Sequence, residues 1–336
     1  MVIQHTASGV KRDDVDRRSR LGKLKVLVAD RDRRTALLVK RILFMLGFRD
    51  LDIATNGEEA LDFLGERPYD MIITEWNMEP IDGLTLVKAI RKAQVNARIR
   101  RDIPIVMLTA QADVDSVVVA RDAGITEFVA KPFSAHTISH RMVQIIDNPR
   151  AFVESPRFVG PDRRRRGMPP EGVQERRSRA KPPALPPNTA IKDQLGGFSA
   201  ADIITDAVME QAQADLVKAE SEFIDWARAD ILLLRAAFVG LSAIPADMPA
   251  KQRLMDAAYA IKSQAGIFGY NLGTEVAAFL LKYVSEHQDF SRDSLLVMGK
   301  HIDAIEIIFK EKIKQSGQGI AEEILRSLQQ LIAKKG

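Results

Sequence analysis

The chain has 336 residues, 46% of them hydrophobic and 28% charged, long enough for two domains that each bury a core. It has no cysteine, which excludes disulfides, thiolate catalysis and cysteine-held zinc and points to a reducing compartment, the cytoplasm. The net charge of +4 is concentrated: Arg150 to Lys181 carries ten Lys or Arg against four acidic residues, and no apolar run reaches the roughly 20 residues of a membrane span.

Residues 1–22 read as a disordered arm. From Lys25 to Asn148, short β-branched runs (KVLVA, LDIAT, MIIT, PIVML, EFVA) alternate with amphipathic stretches, giving helices expected at Arg33 to Leu46, Glu58 to Glu66, Leu84 to Lys92, Asp113 to Ala123 and Ala135 to Asp147. Strict alternation of this kind specifies an α/β domain over residues 23–148, a doubly wound, flavodoxin-like parallel sheet of five strands. Residues 149–197 are rich in Pro, Arg and Gly and read as an extended linker, disordered by itself. Residues 198–336 return to a 3.6-residue apolar period, with helices expected near Ala200 to Gly240, Ala250 to Phe268, Leu272 to Glu286, Ser291 to Lys314 and Gly319 to Lys335, an all-α bundle. The length of the first of these allows a homodimer.

Five landmarks lie at or near the carboxyl ends of the first domain's strands, where open α/β sheets place their sites: Asp30, the stretch ITEWNMEPIDG, Thr109-Ala110, Phe128 and Lys131-Pro132. With these the domain resembles the two-component receiver domain over nearly its whole length. In that family a carboxylate pair after the first strand and an acceptor aspartate after the third hold Mg²⁺. Here the residues after the first strand are Asp30-Arg31, and the acceptor position is Glu75. The resemblance therefore implies a pseudo-receiver without phosphorylation and without Mg²⁺. Two readings stay open. Glu75 and Arg31 pair and lock an active-like state, with Thr109 and Lys131 bonded to the Glu75 carboxylate, or the site has decayed and the fold serves as an interaction surface. Asp32 is a substitute ligand in a minority reading that retains metal. The resemblance also makes Phe128 the switch aromatic and Lys131-Pro132 a cis peptide.

After this domain come GPDRRRRG and ERRSR. Arginines bind phosphates bidentately, donate to guanine O6 and N7, and stack on purines. In order and composition the segment resembles the arginine-rich tail of chemotaxis-like regulators that bind cyclic di-GMP. That implies Arg163, Arg164, Arg165 and Arg166 as first ligand candidates, Asp162 for a guanine N1–H and N2–H₂ edge, and Arg176, Arg177 and Arg179 after them; the bland alternative is a solvated basic linker. Specific DNA binding is not expected, because no recognition-helix pattern accompanies the arginines.

In the helical half, AAYAIKSQAGIFGYNLG resembles the histidine phosphotransfer domain, with Tyr259 at the histidine position and Ser263 in place of a glycine. Without an imidazole there is no phosphotransfer. Tyr259, Lys262 and Ser263 then become a docking face for a receiver or a histidine kinase. The expected protein is a non-enzymatic, cytoplasmic regulator working on such partners or on motor and chemotaxis-type proteins, with no cofactor required. The alternatives are a working phosphorelay regulator and a pure scaffold.

Overall fold

In the computed structural model, residues 19–93, 99–110, 113–156, 158–163, 184–287, 290–314, 319 and 326–328 are described. The chain divides into two compact units, one of residues 1–130 with 135–213, the other of 131–134 with 214–336.

In the first unit, β1 (Lys25–Ala29), β2 (Asp50–Ala54), β3 (Met71–Glu75), β4 (Ile105–Thr109) and β5 (Glu127–Ala130) form a wholly parallel sheet in the order β2-β1-β3-β4-β5. The helices between them are α1 (Arg33–Leu46), α2 (Gly57–Glu66), α3 (Gly83–Lys92), α4 (Val114–Ala123) and α5 (Ala135–Asp147). Each strand run was legible because both faces of a parallel sheet are buried, so β3 and β4 have no exposed residue. The helices start on short polar side chains that take up an orphan amide: Asp32 on Arg34 N, Asn56 on Glu59 N, Asp82 on Thr85 N and Asp113 on Ser116 N. At α2 the Glu59 side chain also reaches back past the cap, its Oε2 accepting from Thr55 N at 2.7 Å. Gly47 and Gly124 end α1 and α4 at φ 116° and 103°, a backbone that a side chain would strain.

The expectation of an unstructured linker from residue 149 is corrected. β6 (Phe152–Ser155) and β7 (Phe158–Pro161) form an antiparallel hairpin, and β8 (Ala184–Leu185) pairs on the other side of β6, giving a sheet in the order β7-β6-β8. The hairpin is part of the first unit because its partners lie there. Arg150 pairs with the buried Glu127 of β5, which also holds Arg141 of α5 at 3.1 Å. Residues after β8 are bound in the same way. Gln194, ending the short helix α6 (Ala190–Gln194), donates to Asp70 at 2.8 Å, and Asp147 accepts from Ser199 Oγ and Ala200 N at 2.6 Å, capping the 3₁₀ turn Ala200–Asp202. At the other end the folded body includes Leu21, which is fully buried although it falls in the stretch read as a disordered arm.

The single helix expected from Ala200 to Gly240 is in fact the 3₁₀ turn, α7 (Asp206–Lys218) and α8 (Glu220–Ala243). In the second unit α8, α9 (Met248–Ala265), α10 (Asn271–Glu286) and α11 (Arg292–Lys310) pack in a ring in which α9 and α11 each touch both α8 and α10. One end of this bundle is an aromatic cluster: Phe223 stacks on Phe268 at 4.4 Å and meets Tyr270 and Phe309 at 5.7 Å. The Tyr270 hydroxyl donates to Glu220 at 2.9 Å, and Lys314 closes on the same carboxylate at 2.7 Å. Burial pushes Tyr270 up, and burial alone would do the same to Glu220, but its two donors hold that carboxyl below the usual range. α8 leaves Leu232, Leu233 and Val239 exposed. The helix expected from Gly319 to Lys335 lies outside the described residues except for 319 and 326–328.

Candidate functional site

Strand register assembles the site. Ala29 pairs with Thr74, so Asp30, the next residue along, stands level with Glu75; Glu75 pairs with Leu108, which places Thr109 one residue further; and Thr109 pairs with Ala130, which Lys131 follows. Neighbouring strands are about 4.8 Å apart, so Asp30, Glu75 and Thr109 share one short stretch of the sheet's carboxyl edge. Asp30, Glu75, Thr109 and Lys131 are all buried. The peptide before Pro132 is cis, as the resemblance implies. Phe128 is half-buried, pairs with Met107 and packs on the cluster that contains Leu86, Val87 and Ile90.

Glu75 is the last residue of β3 and fully buried. Its Oε1 accepts from Trp76 N at 2.7 Å and from Asn77 N at 3.3 Å, so the carboxylate is turned onto the backbone that leaves the strand. Asp30 Oδ1 accepts from Asp32 N at 2.9 Å. Asp32 in turn spends Oδ1 on Arg34 N at 3.1 Å and Oδ2 on Thr35 Oγ1 at 2.8 Å. The minority reading of Asp32 as a substitute metal ligand therefore competes with its cap. Arg31 is half-buried beside these groups.

Two determinants of the site were not singled out in the sequence. The amides of Trp76 and Asn77 are invisible to side-chain pattern, and Gly83 reads merely as the residue after a cap. A Cβ on Gly83 would stand 2.0 Å from the Glu75 carbonyl oxygen, and Gly83 N donates to Trp76 O at 2.8 Å. Only glycine lets α3 start this close to β3.

The arginine candidates divide. Arg163 is engaged by the receiver fold: its Nη1 lies 2.9 Å from Asp122, its guanidinium sits 3.6 Å from the Phe158 ring centre, and burial lowers its pKa. Asp162 is half-buried and its amide donates to Ala151 O at 2.7 Å. Arg164, Arg165, Arg166, Arg176, Arg177 and Arg179 lie outside the described residues. In the bundle, Tyr259 and Ser263 are enclosed, at 8% and 0% exposure, and Lys262 is half-buried, which corrects the expectation of an open face.

The fold and this edge are those of a receiver. The description "Response regulator receiver domain" matches residues 26–143. Chemotaxis protein CheY-3 of Vibrio cholerae is 31% identical over 124 residues, 37% of this chain and 92% of that protein. Chemotaxis protein CheY of Pseudomonas aeruginosa is likewise 31% identical, over 37% of this chain and 97% of its own. Among solved structures, the receiver domain of Francisella response regulator 1452 is 30% identical, with a TM-score of 0.32, covering 35% of this chain and 93% of that one. Through residues 26–143 the chain belongs to the CheY-like response regulator receiver family and is a signal-transduction protein. No helix among the described residues is long and apolar enough to cross a membrane.

Proposed function

We propose that this protein is a non-enzymatic regulator whose receiver signals by protein contact, without accepting a phosphoryl group. The observation that carries this reading is Glu75: a glutamate at the acceptor position, fully buried, with its carboxylate already accepting two backbone amides. Both amides engage the same oxygen, Oε1, and a buried oxygen with two charge-assisted hydrogen bonds is a poor nucleophile. The family's Mg²⁺ does not suit these donors. It needs hard oxygen ligands, whereas a guanidinium, Arg31, takes the second acidic position and Asp32 caps α1. In this reading Glu75 substitutes for the phosphoryl group and Arg31 for part of the metal's charge.

The protein's partners are receivers, kinases or chemotaxis-type proteins in the cytoplasm, and the helical half, with the enclosed Tyr259 in place of a phosphotransfer histidine, transfers no phosphoryl group. The arginine-rich segment binds cyclic di-GMP. This last reading is supported by the segment's setting, since β7 and β8, which flank it in sequence, both pair with β6, so both its feet are fixed to one strand. Exposure to acetyl phosphate and Mg²⁺ followed by intact mass tests the main claim. No phosphoryl adduct is expected, and an adduct mapped to Glu75 refutes it.

A further inference from the structure

Beneath the β6–β8 pair, Arg91 at the end of α3 is fully buried. Its Nε donates to Gly124 O and one terminal nitrogen to Ile103 O, both at 2.8 Å; the same nitrogen reaches Arg101 O, and Arg101 Nε returns a bond to Arg91 O at 2.9 Å. This exchange fixes the backbone of residues 101–103 against α3. Across from it, β6 brings the Phe152 ring to 5.6 Å from the Arg91 guanidinium and Glu154 to 3.4 Å from Arg101 Nη1, while Leu185 of β8 pairs with Phe152. The result is a solvent-open groove of about 240 Å³ walled by Arg100, Arg101, Asp102, Phe152, Glu154, Leu185 and Pro186.

We infer that this groove receives a guanine base of the cyclic dinucleotide, an assignment that rests on the cyclic di-GMP reading above and locates part of that ligand on the receiver body. That is below the roughly 300–1,000 Å³ of sites that enclose a whole small ligand, so the groove suits one flat base and not the entire dinucleotide. Its chemistry selects guanine. A guanine edge presents two acceptors, O6 and N7, and two donor groups, N1–H and N2–H₂. The groove rim presents the complement: the terminal nitrogens of Arg100 and Arg101, whose Nε atoms are held by Asp102 and by the Arg91 carbonyl, as donors, and the exposed Glu154 carboxylate as an acceptor able to take N1–H and N2–H₂ together. Adenine would set its N1 lone pair against that carboxylate and has no N2 donor. The half-exposed Leu185, with Pro186 beside it, offers an apolar face to the flat ring. The Arg101–Glu154 pair is partly solvent-exposed, so opening it for a ligand costs little. Because β8 is both a wall of the groove and the foot of the arginine-rich segment, a base held here lies where that segment re-enters the fold.

Isothermal titration of the full chain with cyclic di-GMP and with cyclic di-AMP tests this, using wild type, Glu154→Gln and Arg100→Ala, each shown by its melting curve to be folded. Wild type is expected to bind the guanine dinucleotide and not the adenine one, and each variant to bind it about tenfold more weakly, as for the loss of one bidentate base contact. Binding by both variants at wild-type affinity overturns the groove and leaves the arginine segment as the site. Absence of binding by wild type overturns the cyclic di-GMP reading and the groove with it.

Discussion

Replacing Arg91 by methionine keeps most of the side chain's volume and removes all its donors. The buried carbonyls of Gly124 and Ile103 and the part-buried one of Arg101 then lose this donor. Hydrogen bonds from a charged donor are worth about 1.5–3 kcal/mol each, so the gross loss is roughly 5–9 kcal/mol. Part of this is returned, because a fully buried guanidinium is costly: burial depresses its pKa to about 9, and removing the charge recovers several kcal/mol of desolvation. The net expectation is a destabilisation of about 3 kcal/mol. For a unit of this size that lowers the melting temperature by roughly 6–12 °C. The assay is thermal unfolding followed by tryptophan fluorescence in a Trp226→Phe background, where Trp76 alone reports on the receiver. A shift smaller than about 2 °C, on the same scaling, would mean that Arg91 does not join α3, the β4 approach and the hairpin as described.

Gly83→Ala drives a Cβ to 2.0 Å from the Glu75 carbonyl oxygen and must displace α3 or the end of β3; a loss of about 3 kcal/mol or more is expected in urea unfolding, and near-wild-type stability would contradict the close approach. His301 is buried in the bundle with Nδ1 2.8 Å from Val297 O and, among the described residues, no hydrogen-bond partner on Nε2, and burial holds its pKa below the ordinary 6.5. The unfolded chain therefore takes up the proton first. Bundle stability is expected to be unaffected above pH 6.5 and to decline as pH falls below it until the folded-state pKa is passed, and His301→Gln is expected to remove that dependence in urea titrations at several pH values.

The receiver was readable because its signals are local. Strands buried on both faces give uninterrupted β-branched runs, and Asp32, Asn56, Asp82 and Asp113 mark helix starts to within a residue. The hairpin was not. β6 and β7 have four residues each, β8 only two, and their order comes from Gly124 and Arg91 far away in sequence. A Cβ on Gly124 would lie 2.7 Å from Val159 O, so this glycine serves the hairpin as well as the end of α4. Arg91 reads as a helix-terminal surface base; only the carbonyls and ring that enclose it show otherwise. The break between α7 and α8 falls at Ala219, with no Gly or Pro to announce it. At the site, the residue types at 30, 31 and 75 were plain in the sequence, whereas the backbone amides that hold Glu75 needed the fold.

In the proposed reading Glu75 occupies the acceptor site itself and leaves no place for a phosphoryl group. Amide NMR of Trp76 and Asn77 during titration with Mg²⁺ and beryllofluoride, a phosphoryl mimic, examines it at the two groups that hold the carboxylate. Both resonances are expected to stay in place at saturating additions. Their movement together on adding the mimic with Mg²⁺ would show that the carboxylate gives way to a phosphoryl group, and the pseudo-receiver reading would be wrong.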